Sequence, residues 1–81
     1  MSVIDAYSAV ERARVNSSLP TENYWLYVKK DGTGFLAFAE EHKNPDYIGF
    51  FVEDDSRIPG ILKVAESKIK KFKPYVYKRR T

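Results

Sequence analysis

The sequence predicts a small single-domain α+β fold: a helix, a three-stranded antiparallel sheet and a second helix, with a short fourth C-terminal strand compatible with the pattern. Three observations carry this reading. Two segments repeat apolar residues at three- and four-residue spacing, which marks amphipathic helices. Three segments between them are short and rich in aromatic and β-branched residues. Asp31-Gly32 separates the first two of these, a strong hairpin signal. Eighty-one residues make one domain, placed over residues 1–77 with a basic tail over 78–81.

The first helix is expected over residues 2–15. Ser2 followed three residues later by Asp5 resembles a capping pair, and Val3, Ala6, Tyr7, Val10 and Ala13 form one apolar stripe. Pro20 lacks an amide hydrogen and pushes Leu19 away from helical geometry, so the helix ends within Asn16-Ser17-Ser18-Leu19.

Residues 23–30 and 34–41 are the two hairpin strands. With a two- or four-residue loop the parity is the same. Tyr24, Leu26 and Val28 then share a face with Phe35, Ala37 and Ala39, while Trp25 and Tyr27 share the other with Leu36 and Phe38. Neither face is polar, unlike a sheet wetted on one side. The face with Ala37 has room for a helix, and the aromatic face requires a cover of its own: a second helix, a partner or a ligand. In a chain this small a covering helix is the favoured solution, which would place those aromatics in the core.

Asn44-Pro45-Asp46 is a turn. Residues 47–53 form the third strand, with Ile48, Phe50 and Val52 on one side and Tyr47, Gly49 and Phe51 on the other. Asp54, Asp55 and Ser56 offer caps to a second helix over residues 57–72, whose seam is Ile58, Leu62, Ala65, Ile69 and Phe72. Pro74 stops that helix, and Tyr75-Val76-Tyr77 is the candidate fourth strand. The order of the first five elements is similar to that of double-stranded RNA-binding domains. Those domains place lysines at the start of the last helix, where this chain has Ser56-Arg57-Ile58-Pro59-Gly60, so membership is not inferred.

Charge is segregated. Residues 1–62 carry six Lys/Arg against ten Asp/Glu, a net of −4; residues 63–81 carry eight against one, a net of +7. A concentrated positive field attracts polyanions or an acidic protein surface. The leading expectation is therefore a non-enzymatic nucleic-acid-binding module. Lys63, Lys70, Lys71, Lys73, Lys78, Arg79 and Arg80 would contact phosphates, with Tyr75 and Tyr77 available to stack on bases. The bland alternative is that these lysines keep a helix face hydrated and complement its dipole. The second functional candidate is the hairpin face of Trp25, Tyr27, Leu36 and Phe38, which suits unpaired bases or the anchors of a protein interface. A protein-interaction module, adaptor or inhibitor, is the alternative function.

Other chemistry is disfavoured. The chain has no cysteine, which removes disulfides, thiolate metal sites and thiol nucleophiles. Glu40, Glu41, Asp46, Glu53, Asp54 and Asp55 lack the alternation and central glycine of a calcium loop, and helix capping accounts for them better. His42 stands alone at a strand end and is expected at the surface. Ser67 and Lys70 match S-x-x-K without its companion motifs, and Asp31-Gly32-Thr33-Gly34 is a turn rather than a phosphate loop. No catalytic constellation, cofactor, metal or small-molecule substrate is expected. No apolar run approaches the roughly 20 residues that span a bilayer, so no membrane partner is expected. The first residues lack the pattern of a secretory signal, so a cytoplasmic location is the expectation. Homodimerisation through the Trp25/Phe38 face is one alternative; another is an acidic edge meeting a neighbour's basic helix, which would give head-to-tail association rather than a two-fold dimer.

Overall fold

The computed structural model describes residues 2–72, with the backbone alone for residues 70–72. In chain order the elements are α1 (Val3–Ser17), β1 (Glu22–Lys29), β2 (Phe35–Phe38), β3 (Tyr47–Asp54), a 3-10 turn (Asp55–Arg57) and α2 (Ile58–Phe72). This is the helix, three-stranded antiparallel sheet and helix that the sequence predicts. The candidate fourth strand over residues 75–77 and the basic tail lie outside the described residues.

The caps set the ends of α1. The Ser2 hydroxyl accepts from the Asp5 N–H at 3.3 Å. At the other end Ser18 takes the left-handed conformation (φ 55°), and its N–H and that of Leu19 both donate to the Ala13 carbonyl. A non-glycine residue pays for that geometry, and the return is visible next door: Leu19 folds back and is 6 % exposed. In the hairpin, Lys29 N–H donates to Gly34 O, which leaves a four-residue loop. Only Gly32 (φ 80°) sits in the left-handed region there, and Asp31 does not. Its carboxylate instead accepts from the Thr33 N–H at 2.9 Å and from the Thr33 hydroxyl.

The sheet order is β2-β1-β3, so the first strand is central. Register pairs Trp25 with Phe38 and with Phe51, and Tyr27 with Leu36 and with Gly49. The even-numbered face, so named for its residues in β1 and β3 (those of β2 are odd), is the core side. Tyr24, Leu26, Val28, Ala37 and Val52 pack there with Ala6 and Val10 of α1 and with Ile58, Leu62, Ala65 and Ile69 of α2. Burying each Leu, Ile or Val side chain stabilises by about 1.5–3 kcal/mol, which is why both helices lie on this one side. Ala37 is the small residue that lets α1 sit close to β2.

A polar network ties the two helices to the start of β1. Arg14 of α1 donates to both carboxylate oxygens of Asp55, at 2.9 and 2.8 Å. The Tyr24 hydroxyl donates to the same carboxylate at 2.5 Å, and the Tyr7 hydroxyl donates to the Asp55 carbonyl at 3.2 Å. The guanidinium also lies 5.6 Å from the centre of the Tyr24 ring. Asp55 therefore does not serve as a helix cap. That role falls to Asp54, whose carboxylate accepts from the Ser56 N–H. Hydrogen bonds from Arg14 hold the Asp55 carboxyl below the usual carboxylate range despite partial burial. Burial, together with the bond to Asp55, pushes the Tyr24 hydroxyl far above the usual phenol range, so it remains a donor.

Replacing Asp55 with alanine leaves a half-buried guanidinium and a buried hydroxyl without their acceptor. The expected cost is about 1–3 kcal/mol in urea unfolding at neutral pH, below that of a fully buried pair because water screens the open side of the carboxylate. Folding lowers the Asp55 pKa, so its contribution is complete above about pH 4, the unfolded carboxylate range, and fades as pH falls through the lower folded value. The stability gap between wild type and Asp55→Asn accordingly narrows from pH 5 toward pH 2; a gap that stays constant over that range would contradict the ion pair.

Candidate binding surfaces

The odd-numbered sheet face carries Trp25 and Tyr27 from β1, Leu36 and Phe38 from β2, and Phe51 from β3. Among the described residues no helix covers it. This corrects the expectation that a helix makes these aromatics core. The physical reason is the pattern of α2: its seam continues the even-face core, and no second apolar stripe is left to cross the sheet.

The face covers part of itself. Tyr27 lies at its centre, 4 % exposed, with Trp25 stacked beside it at 6.4 Å and Phe38 edge-on at 5.7 Å. Phe51 meets Trp25 edge-on at 5.5 Å and is 49 % exposed; Leu36 is 38 % exposed. Such aromatic pairs add about 0.5–1.5 kcal/mol each beyond their area. Gly49 makes room for Tyr27, because a Cβ built there would stand 2.6 Å from Tyr27 Cε1. The ring has little freedom to yield, since its hydroxyl accepts the His42 N–H at 2.5 Å. His42 is exposed, as predicted, but it is not idle: its ring lies 4.1 Å from that of Phe38 and extends the aromatic surface.

The four residues predicted for this face are thus brought together. Sequence reasoning missed Phe51 as a member. It shared a parity with Gly49, but nothing in the chain revealed that β3 pairs with β1 rather than β2. Glu40, Glu41 and Glu53 are exposed around the end of the face that holds Phe38 and Phe51, and Lys29 stands toward the other end, opposite Tyr47. Glu53 is paired there with Arg57 and Lys43 follows His42, so the acidic border of the aromatic end is Glu40 and Glu41.

The second predicted surface is separate. Lys63 and Lys68 are exposed on α2, on the helix side of the sheet. Lys70 and Lys71 lie in its last turns, where the backbone alone is described. Lys73, Tyr75, Tyr77, Lys78, Arg79 and Arg80 lie outside the described residues. Lys63 and Lys68 of α2 and the aromatic cluster therefore sit on opposite sides of the sheet and do not form one groove. Among the described residues, no group of three or more His, Asp or Glu is placed to hold a metal ion, and no helix is long and apolar enough to cross a membrane.

Comparison with protein-family models, with curated proteins and with solved structures returns no match.

Gly49→Ala forces the Tyr27 ring or β3 to move and is expected to destabilise by about 1–3 kcal/mol. Gly34→Ala, where the added methyl meets open space, is expected to stay within about 0.5 kcal/mol of wild type. Equal effects in parallel unfolding curves would contradict the close packing of Tyr27 on Gly49.

Proposed function

We propose that this chain is a non-enzymatic interaction module that docks a partner protein through its aromatic sheet face. One observation carries the reading: both helices pack on the even-numbered face, so Leu36 and Phe51 are exposed and Trp25 and Phe38 half-buried around a buried Tyr27. Trp, Tyr and Phe dominate the energetics of protein interfaces, and a preorganised patch loses little entropy on docking. The acidic border of Glu40 and Glu41 suits an apolar partner patch with a basic rim. The same border opposes phosphates, which is why this face favours a protein over a nucleic acid.

The lysines of α2 support a second reading, the nucleic-acid-binding module. Lys63 and Lys68 are exposed, and residues 63–81 carry a net charge of +7. Contact there would be with phosphates, weakly dependent on sequence and strongly on salt.

The two readings separate in one set of variants. Crosslinked capture from the source cell with the wild-type chain is compared with Leu36→Glu/Phe38→Ala and with Lys63→Glu/Lys68→Glu, folding being checked by circular dichroism. The first reading expects a specific protein recovered by wild type and by the lysine variant, and reduced at least about tenfold by the face variant. Undiminished recovery with the face variant would overturn it. The second reading expects oligonucleotide anisotropy with a steep negative slope in log salt that the lysine variant flattens; no binding at about 150 mM salt would overturn that.

A further inference from the structure

β3 is an eight-residue strand with a neighbour on one side only. Which of its backbone groups face outward follows from the ladder. Lys30 N–H donates to Asp46 O, and the register continues from that pair, so the even-numbered residues of β3 bond to β1. Gly49, Phe51 and Glu53 therefore turn their N–H and C=O groups to the free edge, and all three residues are exposed. β3 contains no proline, no lysine and no glycine in the left-handed region, and the one charged residue among those three, Glu53, is paired with Arg57 of its own chain. β2, the opposite edge, is only four residues long.

The free edge also has an apolar wall. A groove of about 620 Å³ runs between it and one flank of α2, lined by Phe50, Phe51, Arg57, Gly60, Ile61 and Val64. Val64 is 50 % exposed, and a Cβ at Gly60 would meet open space. A glycine in a helix costs about 1 kcal/mol against alanine, and no contact within the described chain calls for one at this position.

We infer that this edge and groove are a homodimer interface, in which β3 pairs antiparallel with β3 of a second copy about a two-fold axis at Phe51. Charge selects this occupant. α2 runs back alongside β3: Arg57 pairs with Glu53 at 2.9 Å, and Ile61 and Val64 lie beside Phe50 and Phe51. The acidic end of β3 (Glu53, Asp54) and the lysine-bearing end of α2 are therefore at opposite ends of the same edge. An antiparallel two-fold sets the acidic end of each copy beside Lys68 of the other. Segregated charge that repels itself within a parallel stack is satisfied twice in this arrangement.

The register avoids conflict as well. With Phe51 opposite Phe51 of the second copy, Glu53 stands opposite Gly49, so no like charges face each other. Gly49, Phe51 and Glu53 exchange backbone hydrogen bonds across the axis, and Gly60 allows the two α2 helices to approach. The product is one six-stranded sheet with all four helices on one side. Its other side carries the row Phe38, Trp25, Phe51 continued through the axis into the second copy. This inference does not rest on the partner reading above.

Because the chain has no cysteine, a single introduced thiol reports on the axis. Residues facing each other in a hydrogen-bonded antiparallel pair have Cα atoms about 5.5 Å apart, within disulfide range. Phe51→Cys is expected to form a covalent dimer under mild oxidation, and Leu36→Cys, on the strand at the far edge, is not. Light scattering of the cysteine-free wild type is expected to give twice the 9.4 kDa chain mass, and Val64→Glu, at an exposed position, to weaken that dimer at least tenfold with unchanged circular dichroism. A monomer at all concentrations up to roughly 1 mM, the upper end of weak association, would overturn the inference. So would equal crosslinking at positions 51 and 36, dissociation by Leu36→Glu but not by Val64→Glu, or growth into larger species.

Discussion

The Asp55 carboxylate is the junction on which the rest of the fold depends. It receives Arg14 from the last turn of α1 and Tyr24 from the start of β1, while its own backbone carbonyl receives Tyr7. Three segments far apart in sequence are thereby fixed at the point where β3 gives way to α2. Hydrophobic burial supplies the greater part of the stability, but it is non-directional. The bidentate Arg14–Asp55 pair is directional, and it sets where α2 begins and therefore how its apolar seam meets the sheet. The arrangement has a cost, since Arg14 Nε is buried with no hydrogen-bond partner. Two charge-assisted bonds and the Tyr24 ring offset it.

That placement of α2 determines the character of the molecule. With both helices committed to the even-numbered face, the core is two-layered and the other sheet face is left to its own side chains. A polar face would be the ordinary solution. This chain instead packs aromatics against one another around Tyr27, anchored below by the missing side chain of Gly49 and above by His42. The result is a firm, apolar surface held by the sheet rather than by a loop, suited to recognition without rearrangement. The basic helix and the aromatic face are then two separate properties of one small domain, presented in opposite directions.

Much of the architecture was legible because it follows from local rules. Val3, Ala6 and Val10 marked α1, Ile58, Leu62, Ala65 and Ile69 marked α2, and hairpin parity placed Trp25, Tyr27, Leu36 and Phe38 on one face. Three things were hidden. The strand order depends on which neighbour β3 chooses, a long-range choice that alternation in Tyr47–Asp54 does not encode, so Phe51 was not joined to the aromatic group. Asp55 looked like a cap because caps are recognised by position, whereas its partner Arg14 stands 41 residues away. The placement of both helices on one face was also out of reach, since an aromatic strand reads alike whether it is covered or bare. The breadth of the α2 stripe gave a hint: it is one seam, enough for one face.

Trp25 is the only tryptophan, and it lies on the central strand of the face in question. Its fluorescence therefore reports directly on whether that face is open. The measurement is quenching of the native emission by acrylamide and by iodide, compared with the unfolded chain. An open face predicts an emission intermediate between buried and fully solvated indole and ready quenching by acrylamide, with iodide held back by the acidic border. A blue-shifted emission that neither quencher reaches would mean that the aromatic face is covered in the isolated protein, and would contradict the account.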